Sequence, residues 1–337
     1  MQKQGAKWGD SGRAGADRKP IGALRMKFSQ HRRSWRFEGI LCPVFEVKKE
    51  IPVLYWLSKA AMSMLIDVKA RLLGRPRARI PWDRREAFTL QGRIPILYAY
   101  RDDTRSTPLT YDAHRIDENC AQIASGKFGH YGKIDQWLYD ALERYPLAGK
   151  RVAIIGSTEQ GYGPWYESIC LHFQAQPTTI EYNQIQFTDT RIQFLQAPVD
   201  TTRLEPFDAA LSISSFEHDG LGRYGDPLDS EGDLKAMALM RQIVKPGGLL
   251  YLSVPLGKDK VIFNLHRIYG QVRLPLLLQG WKKVDSFGFE KSLLDRDTGY
   301  GWNPTQFVQT ARGVSKEELI HPDYPEYGPI FVLQNEA

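Results

Sequence analysis

The sequence predicts an α/β protein whose main domain is a doubly wound, mostly parallel sheet. Segments with strand and helix patterns alternate from residue 131 onward, which is typical of parallel sheets. One apolar segment, residues 152–155, leads directly into Gly156 and then into a helix that Pro164 can open. A second short strand ends in an acid, Glu181, so the pattern is the one that presents a nucleotide-like ligand at the ends of strands.

The glycine turn is the centre of this pattern. Residues 152–155 are Val-Ala-Ile-Ile, a run that indicates a strand buried on both faces. Gly156 allows a tight turn and a close approach of a ligand to the backbone. Glu181 is placed to accept hydrogen bonds from ribose hydroxyls. Two alternatives stay open at this point: a tight turn without a ligand, and an exposed glutamate on the surface.

Other segments complete the predicted domain. A helix is predicted over residues 134–145, and a second one over residues 234–244. Further strands are predicted over residues 192–195, 207–215, 249–255, 284–289 and 330–333, with a Lys-Pro-Gly-Gly turn at residues 245–248.

Charge divides the chain unevenly. Residues 1–80 contain 18 of the 45 Lys and Arg residues but six of the 39 Asp and Glu residues, so this part carries +12 and the remainder −6. A mildly acidic main domain argues against nucleic acid as its partner, since phosphate binding needs a basic surface. Three widely spaced cysteines form neither a disulfide framework nor a metal-binding spacing, which favours a reducing compartment.

Three regions are predicted. Residues 1–50 form a basic, disordered tail, residues 51–130 an N-terminal helix and cap region, and residues 131–337 the α/β domain. Apolar residues recur at helical spacing over residues 51–73, and arginines follow. This segment either packs on the main domain or lies on an anionic membrane, so we expect a cytoplasmic or membrane-peripheral protein with weak membrane contact through residues 51–80.

The motifs resemble those of a known family. The Lys-Pro-Gly-Gly turn before an apolar strand, the segment Phe-Asp-Ala-Ala-Leu-Ser at residues 207–212 and the strand ending in Glu181 resemble the class I S-adenosylmethionine-dependent methyltransferase fold. More narrowly, residues 181–183, 217–227 and 263–270 resemble the family called domain of unknown function 268. This resemblance implies S-adenosylmethionine as the cofactor. The residues expected to bind it are Gly156, Ser157, Glu181, Tyr182, Asn183, Phe216 and Asp219.

The first strand departs from the methyltransferase pattern. That pattern places an acid in the strand and a Gly-x-Gly turn after it, whereas this chain has Ile154 at the position of the acid and Thr158 at the position of the second glycine. The acid that helps hold the amino group of the cofactor is therefore missing from strand one. Either the chain holds the cofactor differently, or the pocket has lost it.

Catalytic candidates lie in a polar string after the fourth strand. His218 has an intrinsic pKa suited to accepting a proton near neutral pH, with Glu217 beside it. Arg223 lies in a glycine-rich loop and either binds an acidic group of the acceptor or pairs internally with Asp226 or Asp229. A second polar cluster, Asn264, His266, Arg267 and Tyr269, either faces the same cleft or lies on a surface helix. No metal site is predicted, because no ligand spacing is present.

Three functions are consistent with these observations. The first is a methyltransferase acting on a small-molecule or glycan acceptor. The second is a non-catalytic module that keeps the fold without the cofactor. The third is a nicotinamide-dependent oxidoreductase, which the missing Gly-x-Gly-x-x-Gly motif disfavours.

Overall fold

A computed structural model describes residues 26–29, 34–37, 79–99, 101–104, 107–129, 131–157, 163–297 and 328–336. Within the segment predicted to be a basic tail, strands β1 (Met26–Ser29) and β2 (Ser34–Phe37) form an antiparallel hairpin. The predicted helix over residues 51–73 lies outside the described residues, and its membrane contact stays a prediction. In the part of the chain that the structure describes, no helix combines the length and the apolar character needed to cross a bilayer.

The strands and helices after the hairpin follow in chain order. The remaining strands are β3 (Ile96–Ala99), β4 (Leu109–Tyr111), β5 (Arg151–Ile155), β6 (Gln176–Glu181), β7 (Ile185–Phe187), β8 (Gln193–Gln196), β9 (Phe207–Ile213), β10 (Val244–Ser253), β11 (Lys260–Asn264), β12 (His266–Ile268), β13 (Trp281–Phe287) and β14 (Ile330–Asn335). The helices are α1 (Arg85–Phe88), α2 (Ala113–Ala124), α3 (Lys133–Arg144), α4 (Trp165–His172), α5 (Gly232–Ile243) and α6 (Arg273–Leu277).

Seven strands form the central sheet in the order β13-β14-β10-β9-β5-β6-β8. The pairs from β8 through β10 are parallel, whereas β14 is antiparallel to both of its neighbours, β10 and β13. The chain proceeds outward from β5 in both directions, so the order reverses between β5 and β9. Ligands bind at such a reversal, beyond the carboxyl ends of the strands. The predicted doubly wound sheet is confirmed, in the strand order of the Rossmann-like methyltransferase fold.

Helices cover both faces of this sheet because its buried strands are apolar on both sides. On one face, Ala153 and Leu250 pack with residues of α5 and α6. On the other face, Val152 and Ile154 pack with residues of α3 and α4. Pro164 precedes α4 as predicted, since proline suits the start of a helix.

Two segments differ from the predictions. The Lys-Pro-Gly-Gly segment, residues 245–248, is a bulge inside β10 and not a turn between elements, because Val244 pairs with Phe207 and Leu249 already pairs with Ala209. Residues 260–268 form β11 and β12, whose side chains are buried. These strands make a small sheet with β3, in which β11 is parallel to β3. A surface helix carrying Asn264 to Tyr269 is therefore the wrong interpretation.

Candidate active site

A cavity of about 810 Å³ lies at the reversal of strand order in the central sheet. It is lined by the residues that follow β5, β6 and β9 at their carboxyl ends, among them Gly156, Glu181 and Ser215. The lining includes all of the predicted cofactor-binding residues: Gly156, Ser157, Glu181, Tyr182, Asn183, Phe216 and Asp219. The structure thus brings together residues that lie up to 63 positions apart in the sequence.

The turn after β5 depends on Gly156. Its φ of +79° is in the left-handed region, where side chains are disfavoured. A Cβ atom at this position would lie 2.5 Å from Oγ of Ser215 and 3.9 Å from Oε2 of Glu181. The glycine therefore keeps open the space between the tips of β5, β6 and β9.

Glu181 is fixed at the tip of β6 by backbone donors. Its Oε2 accepts a hydrogen bond from the Ser157 amide at 3.2 Å, and its Oε1 accepts from the amides of Tyr182 at 2.9 Å and Asn183 at 3.1 Å. Burial raises the pKa of this carboxyl, while the backbone donors act in the opposite direction. Two carboxylate oxygens have about four acceptor sites, so three amides leave room for a further donor.

His218 lies in a single turn of 3₁₀-helix, Phe216–His218, directly after β9. Its Nδ1 is 2.5 Å from the carbonyl oxygen of Leu265, and its side chain is 13 % exposed. Burial, with Arg223 and His266 nearby, lowers the pKa of His218 well below its usual 6.5. The sequence predicted a base with an ordinary histidine pKa. The pKa is lower in the folded protein, because a charged imidazolium would be poorly solvated and repelled by Arg223.

Glu217 is buried behind His218. Oγ of Ser214 donates to its Oε1 at 2.5 Å, and the same oxygen is 3.7 Å from Nε2 of His218. Its other oxygen, Oε2, has no hydrogen-bond partner among the described residues. Burial raises the pKa of Glu217 to about 7. Glu217 is thus the group of this pair that titrates near neutral pH, although it does not line the cavity.

Arg223 is bonded inside the protein. Its Nε donates to Oδ2 of Asp103 at 2.8 Å, and only 6 % of the residue is exposed. The internal partner is therefore Asp103, not Asp226 or Asp229 as the sequence suggested. Asp226 instead accepts hydrogen bonds from the amides of Gly222 and Tyr224 within the same loop. The guanidinium of Arg223 is directed at the protein interior and does not line the cavity.

The second polar cluster fixes the loop that carries these residues. Arg267 is completely buried, and its guanidinium donates to the carbonyl oxygens of Asp219 at 2.6 Å and Asp229 at 3.2 Å. Its Nε lies 3.7 Å from Oδ1 of Asp233, a carboxylate that Arg273 also binds. The cluster thus holds together the two ends of the loop over residues 219–229.

Asn264 fixes another segment that lines the cavity. Its side-chain amide exchanges hydrogen bonds with the backbone of Arg101, at 2.7 and 2.8 Å. Arg101 and Asp103 both line the cavity, so a segment outside the predicted α/β domain contributes to the site. Neither residue was predicted from the sequence, because no local motif marks them.

Asp219 lines the cavity, and the pKa of its carboxyl differs strongly from the usual value. Burial first, and the carboxylate of Asp226 second, raise its pKa well above the usual range. Tyr182, next to Glu181, is 48 % exposed.

Across the described ranges, no group of three or more His, Cys, Asp or Glu side chains is arranged to hold a metal ion.

Comparison with solved structures gives methyltransferases at low identity. The chain is 14 % identical to the N-methyltransferase NodS from Bradyrhizobium japonicum WM9, covering 61 % of this chain and 95 % of that one, with a TM-score of 0.35. It is also 14 % identical to the Haemonchus contortus phosphoethanolamine N-methyltransferase 2, which was solved with S-adenosyl-L-methionine. That match covers 60 % of this chain and about half (52 %) of the other, with a TM-score of 0.37. A methyltransferase from Thiobacillus denitrificans, solved with S-adenosyl-L-homocysteine, is 13 % identical, with 65 % and 98 % covered and a TM-score of 0.32.

A search of curated proteins finds no match to this sequence. The family comparison does find one, and it covers the glycine turn, Glu181, the polar string and the Arg267 cluster. Residues 149–295 match the family described as "Caenorhabditis protein of unknown function, DUF268", so the predicted resemblance is confirmed over that part of the chain.

Proposed function

We propose that this chain is an S-adenosylmethionine-dependent methyltransferase that acts on a small or carbohydrate-like acceptor. The observation that carries the proposal is Glu181 at the tip of β6, facing the open turn at Gly156. A carboxylate at this position is placed to accept hydrogen bonds from ribose hydroxyls, and the glycine lets the rest of the cofactor approach the backbone. The residues present therefore fit the cofactor that the fold implies.

Size and lining support a second ligand beside the cofactor. The volume of about 810 Å³ is in the upper part of the usual range of roughly 300–1,000 Å³ for ligand pockets. Tyr131, Tyr182 and Tyr224 line the cavity and offer flat apolar surfaces with a polar tip, which suit sugars and other small polar molecules.

S-adenosylmethionine supplies a methyl group on a positively charged sulfur, and transfer needs mainly alignment of the nucleophile with that methyl group. In this site, His218 would accept the proton of the nucleophile through Nε2. Glu217 and Arg223 do not line the cavity and so would not contact an acceptor. They would instead position His218 and influence its protonation state. Phe216 and Asp219 would border the reacting end.

A non-catalytic module is the second candidate, because Ile154 stands where the fold usually has an acid. Calorimetric titration with S-adenosylhomocysteine and, separately, with NAD distinguishes the candidates. We expect saturable binding of S-adenosylhomocysteine and none of NAD. Binding of NAD alone would favour the oxidoreductase, and binding of neither would favour the module.

Glu181→Gln tests the ribose contact in the same assay. The amide keeps the size of the side chain but loses the charge, so we expect affinity for S-adenosylhomocysteine to fall by roughly 1.5–3 kcal/mol, the range for hydrogen bonds to charged groups. Unchanged affinity in a folded variant would remove Glu181 from the site.

A further inference from the structure

The neighbourhood of the missing acid contains another carboxyl. Ile154 packs on the face of the sheet that α3 and α4 cover. Its partner in the adjacent strand β6 is Thr179. Oγ1 of Thr179 donates a hydrogen bond, 2.7 Å long, to Oε1 of Glu167 in the first turn of α4. Thr179 lies about one strand spacing, ~4.8 Å, from the position where the strand lacks an acid, and the carboxyl of Glu167 is hydrogen-bonded to its side chain.

Glu167 also lies near the residue that follows the glycine turn. The side chain of Ser157, the residue after Gly156, lies close enough to this carboxyl to lower its pKa. Glu167 is 1 % exposed, yet it is among the residues that line the cavity. The side chain thus extends from the helix to the strand β6 and to the wall of the cavity.

The carboxyl of Glu167 has no ion-pair partner among the residues that the structure describes. Its neighbours Thr179 and Ser157 are neutral donors. Burial raises its pKa, and those two donors act in the opposite direction. A buried carboxylate without a cation is costly unless something positive pairs with it. The complement of such a group, at the wall of a cavity, is a ligand ammonium.

We propose that Glu167 supplies the acidic group that strand β5 lacks and holds the amino group of the methionine part of the cofactor. This inference rests on the proposed function, because the ammonium belongs to S-adenosylmethionine. It assigns the departure of the first motif to a relocation of the acid, from the strand to the first turn of the following helix. Glu181 would then hold the ribose, and Glu167 the amino acid end.

Two ligands distinguish binding of the amino acid end of the cofactor from binding of its adenosine end. S-adenosylhomocysteine carries the amino group, whereas methylthioadenosine has the same adenosine part without the amino acid. By calorimetric titration, Glu167→Gln is expected to weaken S-adenosylhomocysteine about 10- to 100-fold, as loss of a charge-assisted hydrogen bond does. Its affinity for methylthioadenosine should stay within about twofold. Glu181→Gln should weaken both ligands, and Glu143→Gln, on the exposed surface of α3, should weaken neither.

The outcomes are distinguishable. If the unaltered protein binds neither ligand, the proposed function fails and this inference fails with it. If the unaltered protein binds both, and Glu167→Gln weakens both equally or neither, only the role of Glu167 is overturned. Should Glu167→Gln not fold, Thr179→Val removes the donor that orients the carboxylate; it must then weaken S-adenosylhomocysteine selectively, and equal affinities for the two ligands would refute the inference.

Discussion

The Nδ1 atom of His218 and the carbonyl oxygen of Leu265 are 2.5 Å apart. A carbonyl oxygen only accepts hydrogen bonds, so Nδ1 carries the proton and Nε2 of the neutral ring is the acceptor. The backbone between β11 and β12 therefore selects the tautomer. Because the contact joins residues 47 positions apart, it depends on the small sheet packing beside the loop after β9.

From this tautomer we predict that His218→Ala lowers turnover about 10²-fold while leaving the affinity for S-adenosylhomocysteine unchanged. The loss is placed at the lower end of the range for general bases, since the low pKa of His218 makes it a weaker base. Once an acceptor is found, turnover and titration on the same protein measure the two effects. His114→Ala is the control, because His114 is exposed on α2. A folded His218→Ala protein with full activity would exclude the role.

Glu217 gives a prediction about stability and pH. Burial raises the pKa of its carboxyl from 4.5 to about 7, so the folded state favours the protonated form. Its contribution to stability is fully present below pH 4.5 and is lost as the pH rises toward and through 7. The shift corresponds to about 3 kcal/mol in the free energy of unfolding.

Glu217→Gln cannot ionise, so we expect its free energy of unfolding to fall less between pH 5 and pH 8 than that of the unaltered protein. Urea denaturation at several pH values measures this difference. Asp135 keeps part of the dependence in both proteins, because burial raises its pKa to about 6. Parallel curves for the two proteins would show that Glu217 is not protonated in the folded state.

Arg267 is predicted to be essential for stability. Arg267→Met leaves the carbonyl oxygens of Asp219 and Asp229 without their donor in a buried region. We expect the free energy of unfolding to fall by about 3–5 kcal/mol, as when one partner of a buried charged network is removed. Arg203→Met is the matched control: Arg203 is exposed, and its loss should change stability by no more than about 0.5 kcal/mol. A loss below about 1 kcal/mol for Arg267→Met would contradict the assigned role.

The local parts of the fold could be predicted from the sequence, whereas the long-range parts could not. The β5 strand, the turn at Gly156 and the start of α4 at Trp165 are marked by an apolar run, a glycine and a proline, each acting on its own neighbours. Glu181 could be predicted at a strand end because the β-prone run before it is a local sequence pattern. These signals predicted the residues at the ends of β5 and β6 that line the cavity.

The polar half of the site depends on contacts that no local pattern encodes. Asp103 and Arg223 are 120 positions apart, and the sequence offered nearer acids as partners for the arginine. The pKa of His218 follows from burial and from Arg223, both of which appear only when the loop is folded. Glu167 was not predicted because a charged residue at the start of a helix is ordinarily exposed, while here it is buried and bonded to Thr179.

The two glycines that flank β5 allow a final prediction, because both have a positive φ but their surroundings differ. Gly149, before the strand, has a φ of +72° and open space within 4 Å of the point where a Cβ atom would stand, whereas Gly156, after the strand, has a φ of +79° and Ser215 in the way. Alanine at either position costs roughly 1–3 kcal/mol for the left-handed backbone. Gly156→Ala adds a steric clash inside the cavity. We therefore expect both variants to lose stability in denaturation, Gly156→Ala more, and Gly156→Ala alone to lose affinity for S-adenosylhomocysteine in titration. Equal affinity in the two variants would mean that the turn at Gly156 is a structural feature and does not border the cofactor.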